Sequence, residues 1–152
     1  MSTAAAYAFI KRHKYGVVSS ISKGDKPQSA LVGIAVTPEV EIVFDTLKSA
    51  RKYQNLVERP HCSLVIGWEA EQTLQLEGVA FEPEGAELRR YQEVYFSAWP
   101  DGRARMDWSG IAYFVVRPSW IRYSDYGRTP PWIEEVPCAF PTQHSPHTME
   151  GC

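Results

Sequence analysis

Most apolar runs in this chain are short, alternate with period two and are separated by turn residues instead of helices. That pattern restricts the chain to antiparallel β architecture. Val40, Ile42 and Phe44 alternate in one run, and Leu74, Leu76, Gly78 and Ala80 in Thr73–Phe81. Val17–Ser22 and Gln28–Val36 flank Lys23-Gly24-Asp25-Lys26, turn chemistry with Gly24 free to take positive φ, which predicts a hairpin. Pro38 marks another turn, and Cys62–Trp68 reads as a continuous apolar strand. Ile111–Arg117 and Trp120–Tyr126, separated by Pro118, predict a closing hairpin. A parallel sheet would need a helix-length crossover between nearly all strands, and turns join these. Helical spacing is confined to three places. These are Thr3–Lys14, ended by Gly16; a stretch from Ser49 with Ala50, Tyr53, Leu56 and Val57 on one stripe, stopped by Pro60; and a stretch opened by Pro83 and Glu84 that buries Leu88, Tyr91, Val94, Tyr95 and Ala98. The expectation is a mainly β fold with flanking helices and six or seven short strands closed into a barrel or sandwich.

A chain of 152 residues accommodates one domain. With 44% hydrophobic and 22% charged residues, a folded core is expected in place of disorder. Net charge of −2 argues against nucleic acid or an anionic membrane as partner, and the longest apolar runs are too short to span a bilayer. Cys62, Cys138 and Cys152 are an odd, scattered set with no disulfide pattern, and the N-terminus lacks a secretory h-region, so a reducing cytoplasm is expected. The domain is expected to cover residues 1–127. From 128 to 152 a Pro-rich tail without periodicity is expected to be extended or partly disordered, or laid across a partner.

The stretch that carries chemistry is Phe44-Asp45-Thr46-Leu47-Lys48-Ser49-Ala50-Arg51-Lys52. A strand ends, hydroxyl residues follow, and a helix begins with two cations in its first turn. The free N–H groups of a helix start attract an anion. Thr46 and Ser49 offer hydroxyl donors, Arg51 a two-pronged donor and Lys52 a mobile charge, which together suit a phosphomonoester. Cations at a helix N-terminus oppose the helix dipole, so two adjacent ones point to a compensating anion. The alternative is that Ser49 simply caps the helix and the cations are solvated.

The run FDTLKSARKYQNLVERPHCSLVIGW resembles the core of the pyridoxamine 5′-phosphate oxidase-like family, the FMN-binding split barrels. KPQSALVGIAV resembles that family's second strand, LQLEGVAFEP its strand after the helix, and YFVVRPSWIRYSDY its closing hairpin. The likeness covers roughly residues 5 to 126 in the right order. It implies a six- to seven-stranded antiparallel split barrel that forms a homodimer with flavin at the subunit interface. It implies phosphate contacts from Thr46, Ser49, Ala50, Arg51 and Lys52, and backbone contacts to the flavin ring from Ser29, Ala30, Leu31 and Val32. Further cofactor contacts fall on Thr73, Gln75 and Trp120. The activity implied is oxidoreduction of a small molecule by hydride or electron transfer at flavin N5.

The vitamin-converting members carry a Gln where this chain has Thr73, with Gln72 one place away. They have a flavin-contacting Trp where it has Ser124, and an Arg and a His beyond the closing strand where it continues Gly127-Arg128-Thr129-Pro130-Pro131. The resemblance therefore covers the cofactor half better than the substrate half, and no catalytic residue is assigned. A deazaflavin coenzyme, haem bound through a His such as His61, and a flavin-binding module without turnover remain open as alternatives. Cys62 reads as a small hydrophobe. Asp101-Gly102-Arg103-Ala104-Arg105 reads as a polar connection. His144 and His147, near Cys138 and Cys152, sit in a tail that offers no pre-shaped cage, so no metal site is expected.

Overall fold

The computed structural model describes residues 1–140. Its eight strands are β1 (Tyr15–Ile21), β2 (Pro27–Gly33), β3 (Ala35–Val36), β4 (Ile42–Leu47), β5 (His61–Ile66), β6 (Gln72–Phe81), β7 (Ile111–Asp125) and β8 (Trp132–Glu135). The helices are α1 (Thr3–Arg12), α2 (Arg51–Glu58) and α3 (Gly85–Ala98). All pairings are antiparallel, in the order β2-β1-β5-β6-β7-β4-β3, with β8 added beside β7. The first and last strands of that path, β2 and β3, are consecutive in the chain and joined by Ile34. The sheet therefore curls until its ends meet at one residue, as an antiparallel split barrel. The peptide groups at this joint are not left orphaned: Ile34 N donates to Lys14 O at 2.9 Å, and Trp99 Nε1 donates to Ile34 O at 3.0 Å.

Two apolar clusters hold the fold. The larger fills the barrel and includes Val18, Ile42, Phe44, Leu64, Ile66, Leu74, Leu76, Phe114 and Ile121; Phe9 and Ile10 of α1 and Leu56 of α2 also belong to it. The smaller lies under α3, where Tyr91, Tyr95 and Phe96 meet Val43, Tyr113 and Val115. Beside it Glu41 is buried and fully engaged, accepting from Tyr91 Oη at 2.8 Å and Arg117 Nε at 3.0 Å.

Several sequence expectations need correction. Ile111–Asp125 is one strand, not a hairpin. Pro118 has no N–H to give the ladder, and a bulge at Glu77/Gly78 absorbs the irregularity opposite it. Helix α1 ends at Arg12, because pairing of Tyr15 with Gly33 draws Gly16 into β1. In the first hairpin the left-handed residue is Asp25 (φ 56°), a residue type that tolerates that region, and not Gly24. Val40 lies in a turn at φ 67°, a strained conformation for a β-branched residue, held by Val40 N donating to Thr37 O. Val57, expected on the buried stripe of α2, is 54% exposed, and Asn55 is buried instead. Within residues 128–140 the extended segment β8 pairs with β7, and Val136 joins the core. His144, His147 and Cys152 lie outside the described residues.

Candidate functional site

The turn from β4 into α2 is fixed from below by β7. Thr46 pairs with Ala112, Leu47 with Ile111, and Lys48 N donates to Gly110 O at 2.8 Å. Ala50 N then donates back to Leu47 O at 2.9 Å, and the helix starts at Arg51. Ala50 stands at the N-cap position and supplies no side-chain acceptor, and the first turn holds no acidic residue. That turn therefore has no side-chain cap and no acidic residue of its own, and of its N–H groups Tyr53 N donates to Ala50 O at 3.1 Å.

Beside this helix start lies a pocket of about 170 Å³ lined by Ser20, Gln28, Ser29, Ala30, Arg51 and Lys52. It brings together residues of β2 and α2 that the sequence proposed separately. Among the described residues neither Arg51 nor Lys52 forms an ion pair. Burial lowers the pKa of Lys52, and Asp45 nearby opposes that shift. An ammonium is thus held partly desolvated next to a guanidinium, an arrangement that an anion would relieve.

The pocket floor was not foreseen. Buried Asn55 donates from Nδ2 to Ser20 Oγ and to Gln28 Oε1, each at 3.0 Å, tying α2 to both strands of the first hairpin. An Asn on the buried stripe of an amphipathic helix was the available sequence signal. Asp45 is the second unforeseen group. It accepts from Tyr95 Oη at 3.0 Å and Arg105 Nε at 3.1 Å, so the Asp101–Arg105 segment is a brace beneath the site, not only a connection.

Other expected contacts lie elsewhere. Thr46 is buried and its hydroxyl donates to Leu47 O at 3.4 Å; Ser49 is exposed in the turn and caps nothing. Neither lines the pocket, because the helix begins two residues later than the Ser49 start that the sequence predicts. Strand β2 is the terminal strand of the path, so one backbone edge is free of ladder partners, as contacts from Ser29, Ala30, Leu31 and Val32 would require. The Val32 side chain is buried, Ala30 packs against the barrel core, and Ser29 shares a 2.8 Å hydrogen bond with Ser19. Thr73 and Gln75 lie on β6, three strands from β2, about 14 Å across the sheet. Trp120 donates from Nε1 to Glu135 at 3.0 Å. These three do not reach the pocket within one chain. The register nevertheless sets Leu31, Val17, Val65, Gln75 and Arg122 in one lateral row of the sheet. Leu31 is 61% and Val65 38% exposed in that row.

The pyridoxamine 5′-phosphate oxidase family model matches residues 2–125, the whole barrel through the end of β7. The chain belongs to this family. Among solved structures, the haem-binding protein of Mycobacterium smegmatis superposes with a TM-score of 0.75 at 21% identity, over 91% of this chain and 62% of that one. The chain thus spans less than two thirds of that relative's length. General stress protein 26 of Bacillus anthracis gives a TM-score of 0.65 at 18% identity, over 88% and 95% of the two chains. A pyridoxamine 5′-phosphate oxidase-related, FMN-binding protein of Nostoc punctiforme gives 0.64 at 9% identity, over 88% and 94%. At such identities the likeness to these structures is one of fold. No protein of curated function matches. Among the described residues no helix is long and apolar enough to cross a membrane, and no group of three His, Cys, Asp or Glu is placed to hold a metal ion.

Proposed function

We propose that the protein binds FMN and serves as a flavin-dependent oxidoreductase acting on a small molecule. One observation carries the reading: a helix N-terminus without a side-chain cap and two cations without ion pairs among the described residues converge on a pocket beside a free strand edge. Arg51 and Lys52 would hold the phosphate, with the Ser29 and Ser20 side chains at its flank. The β2 backbone from Ser29 to Val32 would orient the ring. When bound, the flavin supplies hydride or electron transfer at N5. Because Thr73, Gln75 and Trp120 stand well away from the pocket, the reading includes a homodimer in which a second copy brings them to the cofactor. Exposed Leu31 and Val65 offer apolar surface for that contact. The free thiols of Cys62 and Cys138 accord with a reducing, cytoplasmic setting.

The test is an absorbance titration with FMN, alone and in competition with a deazaflavin coenzyme. Saturable binding is expected, and Arg51→Ala should weaken it by about 1.5 kcal/mol or more, roughly tenfold, the loss of one charge-assisted hydrogen bond. A protein that FMN cannot turn yellow overturns the reading. Haem is the second reading, favoured by exposed His61 at the mouth of a pocket of about 340 Å³ shared with Ser19, Ser63 and Glu77. It predicts a Soret band on haem addition that His61→Ala abolishes.

A further inference from the structure

On the far side of the β4–α2 turn lies a cavity of about 460 Å³, within the range of small-molecule sites. At its inner end is Tyr113 of β7, only 4% exposed. Its ring is fixed edge-on against Tyr95 and Phe96, with centroids 6.1 and 6.2 Å away. Its hydroxyl is buried and, among the described residues, meets no group in hydrogen-bond geometry. Burial raises its pKa, Asp45 adds to the rise, and Arg105 and Gln92 oppose it. Gln92 thus faces the phenol in a side-chain interaction that falls short of hydrogen-bond geometry.

A buried hydroxyl without a partner is costly, and a Phe would fill the same place without that cost. The feature therefore has the form of half a recognition pair. The phenol and the Gln92 amide can each donate and accept, so together they match a group that does both within one plane, which is a carboxamide. Leu88, Ile111 and the adaptable thioether of Met106 give part of the wall an apolar surface that suits the face of a ring. Lys48, Glu82 and Glu84, all exposed, also line the cavity. The rim therefore selects no strongly anionic ligand.

We propose that this cavity is a second binding site, distinct from the phosphate pocket, that takes a small aromatic carboxamide through Tyr113 Oη and Gln92. The proposal does not rest on the flavin reading, and titrating with and without saturating FMN keeps the two apart. The experiment follows amide resonances of the full chain by NMR as nicotinamide is added. Saturable shifts centred on Leu88, Gln92, Ile111 and Tyr113 are expected. Tyr113→Phe and Gln92→Leu should each weaken binding about fivefold, the loss of one neutral hydrogen bond. Tyr113→Phe should leave Tm unchanged or raised, since it removes an unpaired buried hydroxyl. Benzoate, which has the ring but no N–H donor, should bind more weakly than nicotinamide. The proposal is overturned if nicotinamide gives no saturable shift, if its shifts centre on Ser29 and Arg51, or if both variants titrate like the parent.

Discussion

Asn55 holds two strands with one amide, and that makes it the most consequential polar side chain behind the pocket of Arg51 and Lys52. Asn55→Leu keeps the volume but leaves Ser20 Oγ, which is buried, without its donor. A loss of about 1–2 kcal/mol in urea unfolding is expected, together with weaker FMN binding as Gln28 is released. Lys52 gives a pH dependence whose sign follows from its lowered pKa. Below the folded-state value the cost of desolvating the ammonium is present in full. It is relieved as pH rises through that value, and gone above the ordinary lysine range. The apo protein should therefore gain stability on the alkaline side. FMN affinity should fall over the same interval, because a neutral amine no longer pairs with phosphate. Chemical denaturation and FMN titration across alkaline pH, against Lys52→Met as control, check both. Arg51 and Lys52 were legible in the sequence because the conflict they pose, cations at a helix start, is local. The role of Asn55 was not, since its partners stand 35 and 27 residues away in the chain. Cys62 is as expected, a buried small residue whose thiol burial pushes up to about 12, so it is no nucleophile at neutral pH.

At the level of elements, alternation of apolar residues identified nearly every strand, and the misreadings share a cause. Pro118 and Gly16 were read as breaks by local propensity, and pairing across the sheet overrode them. Gly78 is what lets β7 run on. A Cβ there would lie 2.4 Å from the Arg117 carbonyl oxygen, so the β6 backbone can approach the irregular partner only without a side chain. Gly78→Ala should cost at least about 1–3 kcal/mol, as overpacking does, and more if the bulge is lost. Thermal unfolding measures it, and an unchanged Tm would mean that β6 moves aside freely. The start of α2 was misplaced by two residues because Ser49 is a favourable cap by type. In the fold the Ala50 N–H bonds back to Leu47 and closes the turn first. Strand β8 escaped notice because a four-residue edge strand among prolines carries no period long enough to read.

For the whole molecule, antiparallel architecture and the order of segments were plain from the pattern, whereas the distance between the two halves of the proposed cofactor site was not. Only the register puts Gln75 three strands from Leu31 on one outer surface. If two copies share the flavin across that surface, Leu31→Glu should shift the protein from dimer to monomer in sedimentation velocity, and FMN affinity should fall with it. A variant that sediments as the parent does would dissociate Leu31 from assembly. The pairing of β4 with β7 has a bearing on how the chain comes into being. Strand β4 leans on two residues of β3 and otherwise on Ile111 to Val116, 64 to 74 positions downstream. A nascent chain can make its first hairpin soon after leaving the ribosome. The ledge that carries Arg51 has no footing until the seventh strand has emerged. If the pocket beside Arg51 holds FMN as proposed, its capture is bound to the closing stage of synthesis, and a half-made polypeptide has nothing with which to sequester flavin.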